Sequence, residues 1–140
     1  MTTRILLATD LSPASAAAAE EALRLAGGLQ AELLVVSVID HAGEVATGRR
    51  LPRSDQRREA RTSAAQQLVA RGRQQGVRTS FLVWEGEPGP AILEAAVSES
   101  ADLIVVGSHR RGPVQRVLLG SVSEHVVRNA HCPVLVVPGA

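Results

Sequence analysis

The sequence predicts an α/β fold in which a parallel sheet of five strands carries helices on both faces. Three observations lead there. Five short aliphatic runs recur along the chain, most without the alternation that marks a strand wet on one side. Helix-period segments separate them, and strands alternating with helices are the order that a parallel sheet requires. The chain has 140 residues, 45% apolar and 21% charged, which suits one domain spanning 1–140 with a single core.

The first run, residues 5–8, ends at Thr9-Asp10. Ser12 then stands before Pro13, the pattern of an N-cap followed by proline in the first helical position, and an alanine-rich helix over 14–26 follows. Gly27-Gly28 is expected to stop it. The second strand is 33–39, followed by a long polar loop over 41–53 that carries Gly43, Gly48 and Pro52. Ser54 caps a second helix running toward Gly76. The third strand, 80–84, is the least apolar and belongs nearer an edge. A third helix starts near Pro90, and a fourth strand covers 103–106. Ser121-Val122-Ser123-Glu124 reads as a capping box that opens a fourth helix. Pro133 then forces an extended entry into the last strand, 134–137. Crossovers between parallel neighbours are expected to be right-handed.

Composition narrows the chemistry. The formal net charge is +1, which gives no reason to expect nucleic acid or an acidic membrane as partner. All 15 basic residues are arginine. Without lysine there is no Schiff-base mechanism and no P-loop. Phe81 and Trp84 are the only aromatics, too few for a base-stacking strand binder. Cys132 stands alone, so no internal disulfide or multi-cysteine metal site forms, and a packed small residue is the expected role. The first apolar run is too short to span a membrane, and a reducing cytoplasm is the expected compartment. His41, His125 and His131 lack ligand spacing, so no metal site is expected. The arginines at 49, 50, 53, 57, 58 and 61 read as a solvated loop and helix face.

In an open parallel sheet, ligands bind at the carboxyl ends of the strands, where the strand order reverses. The chemistry-bearing residues gather after those ends. Asp10 follows the first strand, and Gly107-Ser108-His109-Arg110-Arg111-Gly112 follows the fourth. Gly120-Ser121 opens the last helix. Glycines let a backbone approach an anion, a helix N-terminus offers free N–H groups, and serines and arginines add donors and charge. Together they make a phosphate cradle without lysine.

These motifs resemble the universal stress proteins of the A type. The matching residues are Leu7-Ala8-Thr9-Asp10-Leu11-Ser12 at the front and Gly86 and Pro88 in the middle. At the back they are Gly107, Gly120-Ser121 and Cys132-Pro133-Val134-Leu135-Val136-Val137-Pro138. The resemblance implies a doubly wound sheet in the order 3-2-1-4-5, like that of the adenine nucleotide alpha hydrolases. It also implies a homodimer paired through the last strand, from Val134 to Val137, and an adenine nucleotide, ATP in one branch of the family, with Mg2+ a companion. By the same resemblance, Asp10 would contact the ribose or adenine, with Ala8 and Thr9 beside it and Val38 against the ring. Gly107, Gly120 and Ser121 would hold phosphates, with Ser108 nearby.

One position departs from the pattern. Arg110 stands where the family has its second motif glycine, so it either obstructs the cradle or swings round to pair with the phosphates. Two alternatives therefore stand beside nucleotide binding in a stress response. One is a dimer of the same fold that binds other proteins and no nucleotide. The other is a weak ATPase with Asp10 or His109 as base.

Overall fold

The computed structural model describes residues 2–40, 54–108 and 120–139. Strand β1 is Arg4–Ala8, and a single 3-10 turn, Pro13–Ser15, leads into helix α1, Ala16–Leu29. Strand β2 is Glu32–Ile39, α2 is Ser54–Gln74 and β3 is Thr79–Glu85. Helix α3 is Pro88–Ser98, β4 is Leu103–Ser108, α4 is Ser121–Asn129 and β5 is Val134–Pro138. The five strands form one sheet in the order β3-β2-β1-β4-β5, and every pairing is parallel.

The aliphatic runs explain this layering. Side chains alternate between the faces of a strand, so a run without alternation feeds two cores at once. On one face Ile5, Leu7, Leu33, Val35 and Val105 pack under α1 and Leu68 of α2. On the other, Leu6, Leu34, Val36, Ile104 and Val106 pack under Ile92 and Ala95 of α3 and Val126 of α4. The edge strands β3 and β5 are only half-buried, as the weaker apolar pattern of 80–84 leads one to expect for β3. At the amino ends of the strands Arg4 ties three elements together. Its backbone N–H donates to Asp102 at 2.8 Å, and its guanidinium reaches Glu32 at 3.0 Å and the carbonyl of Glu99 at 2.6 Å.

Three local expectations are corrected, and the cap at Ser12 holds in position, with Pro13 after it, but without a side-chain bond. Helix α1 runs through Gly27-Gly28, and Gln30 ends it in the left-handed conformation, with φ of 53°. Exposed glycines in a last turn weaken a helix without terminating it; the stop is the residue that turns left-handed. Ser12 holds the extended cap conformation, yet its side chain makes no capping bond. Helix α3 begins at Pro88 rather than Pro90. At α4 the residue in the cap position is Gly120, with Ser121 already helical, and Glu124 pairs forward with Arg128 at 2.7 Å instead of reaching back. The loop expected over 41–53 lies outside the described residues. No described helix is long and apolar enough to cross a membrane.

Gly72 marks the tightest approach of α2 to the sheet. A Cβ there would lie 2.2 Å from Oγ1 and 3.1 Å from Cβ of Thr79, a side chain that is buried and donates to the carbonyl of Val77 at 2.9 Å. Gly72→Ala is therefore expected to lower stability by about 2 kcal/mol through overpacking. Gly28→Ala, with no described residue within 4 Å, is expected to raise it by about 0.5 kcal/mol. Urea denaturation of the two variants checks both signs.

Candidate functional site

The strand order reverses between β1 and β4, and the helices that follow these two strands cover opposite faces. The chain segments leaving them diverge, and a crevice opens between. A cavity of about 510 Å3 lies there, a size that holds a small organic ligand. Its apolar walls include Ala8, Val36, Val38, Ile92, Val106 and Val122. Its polar groups come from Thr9, Asp10, Asp40, Arg61, Gly107 and Ser123.

The turn after β1 is fixed by its own side chains. Thr9 continues the sheet by donating its N–H to the carbonyl of Val36 at 3.0 Å. Its buried hydroxyl accepts the N–H of Leu11 at 3.0 Å and donates to Oγ of Ser15 at 2.9 Å. Ser15 passes the chain on to the carbonyl of Ser12 at 2.8 Å. Leu11 is left-handed, with φ of 63°, a conformation that costs a branched residue roughly 1 kcal/mol and that this network offsets. Asp10 accepts the N–H of Ser12 at 2.9 Å, which holds its carboxylate at the cavity wall.

Across the crevice, α4 meets the end of β4. Oγ of Ser123 donates to the carbonyl of Gly107 at 2.7 Å, so the first turn of the helix is pinned to the strand. That turn carries N–H groups without helical partners and the positive end of the helix dipole. Neither Gly107 nor Gly120 is left-handed, and Gly120 has φ of −61° and ψ of 161°.

Of the residues singled out by sequence, Ala8, Thr9, Asp10, Val38 and Gly107 line the cavity. Ser108 does not line it; it is 3% exposed, and its hydroxyl has no partner among the described residues. Gly120 and the exposed Ser121 stand at the start of α4, next to the lining residues Val122 and Ser123. His109, Arg110 and Arg111 lie outside the described residues.

Sequence reasoning named Ser123 and Arg61 only in other roles, in a capping box and on a solvated face. Arg61 is more than a solvated surface charge: it is half-buried and lines the cavity, and its Nη1 donates to Oγ of Ser37 at 2.6 Å. The signal was its spacing, because Arg61, Ala65, Leu68 and Gly72 share the face of α2 that turns toward the sheet. No group of three potential metal ligands occurs among the described residues. Cys132 lies apart from the cavity, half-buried against the second core.

These features define a doubly wound α/β protein with a ligand crevice at its topological switch point. The model of the universal stress protein family matches residues 1–138, and the chain belongs to that family. It is 41% identical over 138 residues to a universal stress protein of Thermus aquaticus, covering 95% of this chain and 96% of that one. To the universal stress protein MJ0531 of Methanocaldococcus jannaschii it is 36% identical over 137 residues, covering 96% of this chain and 81% of that one. Among solved structures, a universal stress protein in complex with cAMP aligns with a TM-score of 0.72 at 23% identity, over 99% of this chain and 98% of that one. One from Archaeoglobus fulgidus in complex with dAMP aligns with a TM-score of 0.71 at 18% identity, over 98% of each chain. At these identities the two likenesses establish the fold.

Thr9→Val keeps the shape and removes the hydroxyl, leaving the N–H of Leu11 without its acceptor. A loss of about 1–2 kcal/mol in urea denaturation is expected. Burial first, and the charge of Asp102 second, push the thiol of Cys132 up from its ordinary pKa. A raised pKa leaves less thiolate at a given pH. The folded protein should therefore react with a disulfide reagent at pH 8 more slowly than the urea-unfolded chain, and the gap should narrow as pH rises.

Proposed function

We propose that this chain is an adenine-nucleotide-binding regulatory protein of the stress response, working in the cytoplasm by binding rather than turnover. The observation that carries the reading is the cavity at the switch point, with a fixed carboxylate at one wall and a helix N-terminus at the other. Val38 and its apolar neighbours suit a flat ring, and Asp10 suits ribose hydroxyls, which are donors to a carboxylate. The carbonyl of Gly107 anchors α4, whose start offers N–H groups to phosphate, with Gly120, Ser121 and Ser108 close by in the chain. The relatives of the same fold in complex with cAMP and dAMP support an adenine nucleotide as ligand. ATP is the nucleotide we expect, with Mg2+ held by its phosphates and Arg110 beside them.

A specific observation favours a second reading, a homodimer. Strand β5 closes one edge of the sheet with Val134, Leu135, Val136 and Val137 all half-buried, and an apolar edge invites pairing with a second copy. Dimerisation is compatible with nucleotide binding and also serves a partner-binding protein that holds no nucleotide.

Calorimetry on nucleotide-stripped protein with AMP, ADP and ATP tests the main reading. Binding in the submillimolar range is expected, and no heat up to about 1 mM for any of the three overturns it. A Cβ at Gly120 meets no described residue within 4 Å, so Gly120→Val should leave folding nearly unchanged while weakening ATP at least about tenfold by crowding the start of α4. Arg110→Gly resolves that residue's role: tighter ATP marks obstruction, weaker ATP marks pairing.

A further inference from the structure

Arg61 is a cation in the cavity wall that makes no ion pair among the described residues, although Asp10 and Asp40 line the same cavity. Its Nη1 donates to Oγ of Ser37 at 2.6 Å and to the carbonyl of Val38 at 3.3 Å. Ser37 is 1% exposed, so this anchor is rigid. Among the described residues Arg61 makes no ion pair, and its Nε–H and Nη2–H have no partner. These two N–H groups are the parallel donors along one edge of the planar guanidinium, spaced to meet two acceptors side by side. Both N–H groups stay open to solvent, and so to the acceptors of a ligand in the cavity.

Position narrows what that ligand presents. Strands β2 and β4 flank β1, so their ends stand roughly 10 Å apart at the usual strand spacing. A nucleotide with its phosphate at the start of α4, beyond β4, therefore brings its base toward the end of β2. There Arg61 and the apolar Val36 and Val38 share the cavity wall.

We infer that Arg61 reads the base, and that the cavity consequently takes 6-oxopurine nucleotides as well as adenine nucleotides. The inference rests on the nucleotide reading above and extends its ligand class. A 6-oxopurine offers O6 and N7 side by side as acceptors, the pair that an arginine fork meets in parallel. Adenine keeps N7 but sets an amino donor against the second N–H. Arg61 thus contributes more to binding a 6-oxopurine than to binding adenine.

The test is calorimetry with IMP and AMP, which share sugar and phosphate and differ only at the base edge. Wild type is expected to bind both. Arg61→Met should weaken IMP about tenfold or more and AMP less than about threefold. Arg61→Lys keeps the charge, loses the fork and should show the same selective loss, which also guards against a folding defect in the Met variant. Equal weakening of both nucleotides by Arg61→Met overturns the inference. So does full IMP affinity in Arg61→Lys, or a wild type that binds AMP but not IMP. Failure of wild type to bind either nucleotide instead overturns the nucleotide reading itself, and this inference falls with it.

Discussion

Strand β1 is the constraint on which the rest of the molecule depends. It pairs on both sides, Leu7 with Val35 of β2 and with Val105 of β4, and Ile5, Leu6 and Leu7 are 0% exposed. Each such side chain contributes roughly 2 kcal/mol when fully buried. Moving the strand by one residue would exchange the side chains that feed the two cores and spoil the packing of both. The crevice opens at the end of this strand, so its floor at Ala8 inherits the rigidity of the core. A ligand that settles there meets a surface whose shape is already determined.

Polar chemistry begins where β1 ends. Beyond Ala8 the chain must leave the sheet, and each N–H it exposes needs an acceptor. Thr9 and Asp10 supply two of them, for Leu11 and Ser12. One short segment thus satisfies its own backbone and delivers a carboxylate to the cavity. On either side of it, the first turn of α4 beyond β4 and Arg61 at the end of β2 present donors, and Asp40 adds a second carboxylate to the lining. A ligand carrying hydroxyls at one point and acceptors at others matches that division.

Much of this was legible in the sequence. The central strands announced themselves as aliphatic runs because two-sided burial leaves no room for alternation, and β3 was marked as an edge by its weaker apolar pattern. Helix ends were less legible. Gly27-Gly28 resembles a stop, yet the left-handed residue is Gln30, and no local pattern names it. The capping box at Ser121 failed because Gly120 takes the cap conformation and Arg128 claims Glu124. Arg61 was misread because charge suggests solvent, whereas a long side chain on a core-facing position carries its charge along the helix to the rim of the sheet. Ser123 was read only as part of a capping box because a strand carbonyl that needs a donor is invisible until strand and helix meet.

The two motif glycines also part company once the backbone is known. A glycine is required where φ is positive, as at Gly76 with φ of 81°, but neither Gly107 nor Gly120 has that conformation. A Cβ at Gly107 would sit 3.6 Å from Cβ of Ala18, an ordinary contact on the face covered by α1, away from the α3 and α4 side. What Gly107 gives the site is therefore its backbone, through the carbonyl that pins Ser123. At Gly120 no strain and no described neighbour within 4 Å calls for glycine. Among the described residues neither folding nor packing accounts for the missing side chain there. The missing side chain leaves space in front of the free N–H groups of α4, the space that a phosphate would need on the nucleotide reading.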